Sequence, residues 1–149
     1  MTDRAQPLSR SAFSYWQPIQ TRWADNDCYG HVNNVVYYSW FDSAVNRLLL
    51  ERGLLGPEAE WVGLVAHTQC DYFTSVAFPQ ELEIGLRVAS LGTSSVRYEL
   101  AVFVSGNDQP AAQGEFVHVY VDTGARRPLP GLPAPLRRAL LPLLEPSTR

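Results

Sequence analysis

The 149-residue sequence contains no lysine, only two cysteines and no long apolar run. Its 12 basic residues are all arginines and are outnumbered by 15 acidic residues, which gives a net charge of -3. That balance gives no reason to expect a nucleic-acid partner. Cys28 and Cys70 are too few to specify a disulfide scaffold or a zinc site. We expect both thiols to be reduced.

Signals for export or membrane insertion are also missing. Arg4 and Arg10 are not followed by an apolar segment, so the pattern of a secretory signal peptide is absent. No stretch approaches the roughly 20 apolar residues that a membrane-spanning helix needs. We therefore expect a cytoplasmic protein that does not bind a membrane.

Composition predicts an ordinary globular domain, because 46% of the residues are hydrophobic and 18% are charged. A chain of this length buries a sizeable core as one unit. We expect a single domain over residues 1–149, in which residues 1–11 are a loose N-terminal segment. Residues 128–149 are expected to form a proline-rich connector and a short C-terminal helix.

Hydrophobic periodicity predicts one long helix and five strands. Aromatic and β-branched residues favour a first strand over residues 13–24, and a 3.6-residue period predicts a helix over residues 35–52. After Trp61 the period changes to two, which predicts strands over residues 62–73, 81–91, 96–104 and 112–122. A meander of the last four strands, packed on the helix through one face, is an α+β architecture.

Residues 21–38, which read TRWADNDCYGHVNNVVYY, carry the main candidate site. They place the Asp27 carboxylate beside the predicted start of the helix, where the first N–H groups have no internal partner and the helix dipole is positive. Asn33 or Asn34 can cap this end. Asp27 can attack a carbonyl or activate water while the N–H groups bind the developing oxyanion. The alternative is a turn carboxylate that only accepts backbone hydrogen bonds.

The spacing of this stretch resembles a known family. An Asp-Asn-Asp motif, followed by Gly-His-Val-Asn-Asn at residues 30–34 and by Tyr37 on an aromatic helix, resembles the 4-hydroxybenzoyl-CoA thioesterase-like branch of the hotdog-fold acyl-CoA thioesterases. Later segments are also similar, so the resemblance covers about residues 15–130. It implies a hotdog fold, in which an antiparallel sheet of five to six strands wraps around one long central helix.

The resemblance assigns roles around the helix start. Asp27 falls at the family's catalytic carboxylate, and the backbone N–H of Asn34 falls at its oxyanion donor. Asp25 is then a structural or supporting acid. His31 is expected to shape the loop or the pocket more than to act as a base. The residues expected to shape the site are Asp25, Gly30, His31, Asn33 and Tyr37.

Two further groups follow from the expected fold. The acyl pocket is expected to include Tyr38, Phe41, His67 and Gln69, although aromatic residues on a helix often belong to the core and polar strand residues often face water. Asp42, on the helix, is a reserve catalytic candidate. Basic and hydroxyl side chains suit the nucleotide and phosphates of coenzyme A. The resemblance implies that such groups near the predicted hairpin turn bind coenzyme A, namely Arg87, Thr93, Ser94, Ser95 and Arg97; the alternative is a solvated hairpin.

The resemblance implies hydrolysis of an acyl-CoA or aroyl-CoA thioester to a free acid and CoA. No cofactor is expected, since coenzyme A belongs to the substrate, and no zinc or nucleotide-binding motif is present. We expect a homodimer or homotetramer with the site built between protomers. An acyl-ACP thioesterase and a non-catalytic acyl-CoA-binding module are the alternatives. The acyl group and the choice between anhydride and general-base routes stay open.

Overall fold

The computed structural model describes residues 6–145. In this part of the chain it contains five strands, two α-helices and three short 3-10 turns, and the strands form one antiparallel sheet in the order β1-β3-β4-β5-β2. The elements are β1 (Tyr15–Gln20), α1 (Asn34–Glu51), β2 (Trp61–Tyr72), β3 (Glu81–Leu91), β4 (Ser95–Val104), β5 (Ala112–Asp122) and α2 (Ala134–Leu140), with the 3-10 turns at Arg10–Ala12, Trp23–Asp25 and Leu141–Leu143.

The strand order corrects the expected meander. β3, β4 and β5 do follow one another across the sheet, but β2 pairs with β5, from Trp61 opposite Asp122 to Tyr72 opposite Ala112. Periodicity identifies a strand from its own residues and carries no information about its neighbour, so the expected meander placed β2 beside the wrong strand. As a result, β1 and β2 are the two edge strands of the sheet.

The first strand is shorter than predicted. β1 ends at Gln20, and residues Trp23–Asp25 form a 3-10 turn where the sequence suggested continued strand. The Asp25 carboxylate accepts a hydrogen bond from the Arg22 N–H at 2.8 Å, and this bond closes the turn from Arg22 to Asp25. That local bond ends the strand and begins the loop that carries Asp27.

The N-terminal segment is more ordered than expected over its described part. Residues 1–5 lie outside the described residues. After them, the side chain of Gln113 accepts a hydrogen bond from the Leu8 N–H at 2.8 Å, and Arg10 pairs with Glu83 at 2.6 Å. These contacts fix the segment against strands β3 and β5, so the part of it that the structure describes is not loose.

One face of the sheet and the two helices share a hydrophobic core. α1 supplies most of the helical contribution, and α2 buries Leu136 and Leu140 in the same cluster, so α1 is not the sole helix in the core. None of the helices in residues 6–145 is long and apolar enough to cross a membrane. The buried side of α1 consists of Tyr37, Trp40, Phe41, Ala44, Val45, Leu48 and Leu49.

A short polar network lies within this core. The hydroxyl groups of Tyr98 and Tyr120 are 2.8 Å apart, and the Tyr120 hydroxyl is 3.5 Å from Nδ1 of His118. His118 is 2% exposed, and its Nε2 has no hydrogen-bond partner within residues 6–145. Burial lowers the pKa of His118, while the Asp42 carboxylate acts in the opposite direction. The ring is therefore held in its neutral form.

We expect this buried imidazole to make the fold acid-sensitive. As pH falls below the ordinary histidine pKa of 6.5, the unfolded chain binds a proton that folded His118 excludes, so the free energy of unfolding decreases. Urea unfolding midpoints at about pH 7.5 and about pH 5.5 should differ more for the wild type than for His118→Gln.

The matched control for this prediction is His67→Gln. His67 is exposed on β2, so its removal should leave the pH dependence of the midpoint unchanged. Equal pH dependence in the wild type and in His118→Gln would show that the buried ring does not govern acid stability.

Candidate active site

The loop before α1 is organised by the backbone and side chain of Asp27. The Asp27 N–H donates to the His31 carbonyl at 2.9 Å, and the Gly30 N–H donates to the Asp27 carbonyl at 3.0 Å. Oδ1 of Asp27 accepts the Tyr29 N–H at 2.9 Å. Gly30 has φ of +84°, which suits glycine in this tight turn. Within residues 6–145, Oδ2 of Asp27 has no hydrogen-bond partner.

Asp25 occupies a different environment from Asp27, two residues away. Its side chain is 1% exposed, and its carboxylate accepts hydrogen bonds from the N–H and the guanidinium of Arg22, each at 2.8 Å. Its carbonyl accepts the Asn33 N–H at 2.9 Å. These bonds occupy the carboxylate and connect the loop to the helix start, as expected for a structural acid.

The start of α1 leaves one backbone donor free. Asn33 is the N-cap residue, and its Oδ1 accepts the Val35 N–H at 3.0 Å. Its carbonyl accepts the Val36 N–H at 2.9 Å. Within the described residues, the N–H of Asn34 has no hydrogen-bond partner. A free N–H at the positive end of a helix is suited to bind an anionic oxygen.

Asp27 and Asn34 line the same open cleft, whose volume is about 430 Å³. The cleft lies between the Asp27 loop, the first turn of α1 and the chain that follows β2. Burial raises the pKa of Tyr37 to about 12, so its hydroxyl stays protonated at neutral pH. The other lining residues are aromatic or polar, apart from Val32; the full set is Asp27, Tyr29, His31, Val32, Asn34, Tyr37, Tyr72, Phe73, Thr74 and Ser75.

The sequence analysis missed the wall of the cleft that follows β2. Tyr72, Thr74 and Ser75 line it, although they are about 45 residues from Asp27 in the chain. A hydrogen bond from the Val32 N–H to the Val76 carbonyl, at 2.8 Å, brings this segment to the loop. The one available signal was the similarity of the later segments to the family, which did not predict that any of them contacts the Asp27 loop.

The residues expected in the acyl pocket do not line this cleft. Phe41 is fully buried against Phe116, with ring centroids 6.1 Å apart, and Tyr38 packs on the same ring at 6.2 Å. Phe41 lies in the core, and Tyr38 is half-buried against it. In a single chain, the structure therefore gives Phe41 a packing role.

His67 and Gln69 lie on the outer face of β2. They pair with Val117 and Glu115, whereas the core residue Phe116 pairs with Thr68. Directly paired residues point to the same side of a sheet. Within a single chain, the face that carries His67 and Gln69 does not border this cleft, whereas the alternate face, which includes Tyr72, does.

The expected coenzyme A residues are partly engaged elsewhere. The Arg87 guanidinium pairs with Glu99 at 2.7 Å and with Glu145 at 3.1 Å, so a phosphate would have to compete with two carboxylates. Arg97 pairs with Glu115. The remaining three, Thr93, Ser94 and Ser95, lie at the turn between β3 and β4.

That turn is remote from Asp27 in the same chain. The cleft lies near the beginning of β3, where the Phe78 N–H donates to Oδ1 of Asn26 at 3.0 Å. The turn follows the other end of β3, which has 11 residues and spans about 35 Å. One chain does not bring the expected coenzyme A residues to its own Asp27.

The other chemical candidates near the cleft are less organised. His31 is exposed at its rim, and no hydrogen bond joins its ring to Asp27 or Cys28 within residues 6–145. Asp42 is exposed on α1, and its side chain accepts the amide of Asn46 at 3.3 Å. The described residues contain no group of three or more histidine, cysteine or acidic side chains that could hold a metal.

Comparison with known proteins gives the family. The family model of the thioesterase-like superfamily matches residues 21–140, which include the Asp27 loop, α1 and strands β2 to β5. The chain belongs to the thioesterase-like superfamily. This confirms the resemblance that the loop motif suggested, and the family and its solved members point to a thioester hydrolase.

Solved structures support the same assignment. The PA5185 protein from Pseudomonas aeruginosa strain PAO1 is 51% identical, with a TM-score of 0.90 over 96% of this chain and 100% of its own. A thioesterase from Thermus thermophilus, complexed with coenzyme A and Zn, is 33% identical, with a TM-score of 0.73 over 89% of this chain and 95% of its own.

A more distant solved structure adds the fold alone, and one curated relative matches by sequence over part of its length. Slr0204 from Synechocystis, a 1,4-dihydroxy-2-naphthoyl-CoA thioesterase, is 18% identical, with a TM-score of 0.76 over 85% of this chain and 94% of its own. The uncharacterized protein YsmA of Bacillus subtilis is 26% identical over 87 residues, which are 58% of this chain. The match spans 59% of the length of that curated relative.

Proposed function

We propose that this protein hydrolyses an acyl-CoA thioester to a free acid and coenzyme A. The observation that carries the proposal is that the Asp27 carboxylate and the unpartnered Asn34 N–H line one cleft. Acyl transfer needs these two parts, a group that attacks or activates water and a donor for the oxyanion. Family membership supports the reaction class.

The proposed chemistry uses two groups that line the cleft, the Asn34 N–H and the Asp27 carboxylate. The thioester carbonyl oxygen accepts the Asn34 N–H, where the dipole of α1 stabilises the charge that develops in the transition state. Tyr29 holds one oxygen of Asp27, which leaves Oδ2 free to react. Either Asp27 attacks the carbonyl carbon to form a mixed anhydride that water opens, or it removes a proton from an attacking water.

A thioester suits a site with so few groups. The leaving thiol has a pKa of about 8.5, so it departs as a thiolate with little help from a general acid. Coenzyme A is the proposed carrier because the 33% identical Thermus thermophilus thioesterase is complexed with coenzyme A. An acyl-ACP substrate would use the same two groups and differ only in the carrier.

We propose that the complete site forms between two copies of the chain. The hydroxyl groups of the β3–β4 turn and the cleft lie toward opposite ends of β3, so both can reach one substrate only if they come from different protomers. β2 offers a surface for the second copy: it is an edge strand, and Leu64 and Val65 are exposed on it. An exposed strand edge with apolar side chains favours pairing.

One prediction of this proposal concerns the Asp27 carboxylate. Asp27→Asn keeps a side-chain oxygen that can accept the Tyr29 N–H, so the loop should stay folded while the anion is lost. We expect kcat/KM for the best acyl-CoA in an aryl, short, medium and long-chain panel to fall about 100-fold or more. Thiol release is the measurement, and Asp42→Asn is the matched control.

The outcomes separate the alternatives. Asp42→Asn should keep wild-type activity, and full activity in Asp27→Asn would instead reduce Asp27 to a turn residue. Turnover of acyl-ACP without turnover of acyl-CoA would change the carrier. Binding of acyl-CoA without any hydrolysis by the wild type would indicate a binding module.

Another prediction concerns the association of two copies of the chain through β2. Val65→Arg places a charge on the exposed edge strand, where Val65 is 49% exposed, and should lower both the mass measured by light scattering and the activity. Leu50→Arg is the matched control. Leu50 is 57% exposed near the end of α1, where the next residue, Glu51, bonds Tyr15 of β1, the opposite edge strand. A wild-type protein that is monomeric and fully active contradicts the shared site.

A further inference from the structure

Tyr72 connects the end of β2 to the start of α1. It is the last residue of the strand, and its ring meets that of Tyr37 edge to face, with centroids 5.0 Å apart. Its hydroxyl donates to the Asn34 carbonyl at 3.5 Å. Burial raises the pKa of Tyr72 above its ordinary value, so the hydroxyl remains a donor at any neutral pH. The strand end and the helix start are thereby held together.

This hydrogen bond completes a set that fixes the first turn of the helix. The peptide between Asn34 and Val35 is bonded at both ends. Its carbonyl belongs to the first turn of α1 and also accepts the Tyr72 hydroxyl, and its N–H donates to Oδ1 of Asn33 at 3.0 Å. A peptide group is planar, so bonds at both ends fix its orientation. Hydrogen bonds in series also polarise one another.

The preceding peptide is held only through its carbonyl. The Asn33 carbonyl accepts the Val36 N–H at 2.9 Å, whereas the N–H of the same peptide, which belongs to Asn34, is unpartnered within residues 6–145. Three of the four polar groups in these two consecutive peptides are therefore bonded inside the protein. The fourth is the donor that the proposed reaction needs.

We propose that Tyr72 is a positioning residue for the oxyanion donor. Its hydroxyl holds the Asn34 carbonyl, and through it the first turn of α1, so that the Asn34 N–H stays aimed into the cleft. Tyr72 acts through Asn34 and not on the reacting atoms. The inference rests on the proposed function, because it assumes that the Asn34 N–H stabilises the transition state.

Tyr72→Phe tests the inference, since it removes the hydroxyl and keeps the ring that packs on Tyr37. A donor that is less well aimed loses stabilisation made only in the transition state, so we expect kcat to fall about tenfold with KM unchanged. Tyr15→Phe is the matched control. It removes a hydroxyl that donates to Glu51 at the other end of α1, at 2.9 Å, and should leave both constants unchanged.

A second measurement does not depend on activity. Amide hydrogen exchange at Val35 should be faster in Tyr72→Phe than in the wild type, relative to amides in the middle of α1, because one bond of the fixed peptide is gone. A change in KM alone would overturn the inference, since it indicates direct contact with substrate. Unchanged kcat and unchanged exchange would overturn it as well. If the wild type hydrolyses no thioester, the proposed function fails, and the exchange rates alone decide whether Tyr72 holds the helix start.

Discussion

The structure depends on how the first turn of α1 satisfies its backbone N–H groups. A helix start has donors without internal partners, and here the cap residue Asn33 bonds two of them, those of Val35 and Val36. The chain on either side is held to the same point: Asp25 accepts the Asn33 N–H, and Val76 accepts the Val32 N–H. The loop, the helix and the segment after β2 thus meet at one place.

The remaining donor, the Asn34 N–H, is the group on which the proposed chemistry of this region depends. With its neighbours bonded, the Asn34 N–H has no partner within the described residues, and Asn34 lines the cleft. The two nearby carboxylates, those of Asp25 and Asp27, lie in different environments. Asp25 is buried and occupied by Arg22, whereas Asp27 is only partly buried and keeps one oxygen free. A structural acid and the proposed reactive acid therefore stand two residues apart.

Local patterns in the sequence predicted much of this arrangement. The bounds predicted for β3 and β5 match the structure residue for residue, and the predicted helix starts one residue late. The cap at Asn33 and the loop turn at Gly30 depend on residues within a few positions of one another. Short-range rules of capping and turn formation apply to such features.

Features that depend on distant pairing were beyond the sequence. The placement of β2 beside β5 decides that Tyr72 faces the cleft and that His67 and Gln69 face away from it. Both faces of β2 mix apolar and polar residues, so the alternation in this strand does not say which face is buried. The ion pairs of Arg87 could not be predicted for the same reason, because its carboxylate partners come from β4 and from the chain after α2.

The most direct test of the account is a crystal structure of Asp27→Asn with an acyl-CoA bound. The account predicts that the thioester oxygen lies at hydrogen-bonding distance, about 2.7 to 3.1 Å, from the Asn34 nitrogen. It also predicts that the side chain at position 27 faces the carbonyl carbon. A thioester bound elsewhere, for example beside Asp42 with the Asn34 N–H unoccupied, would contradict the central claim.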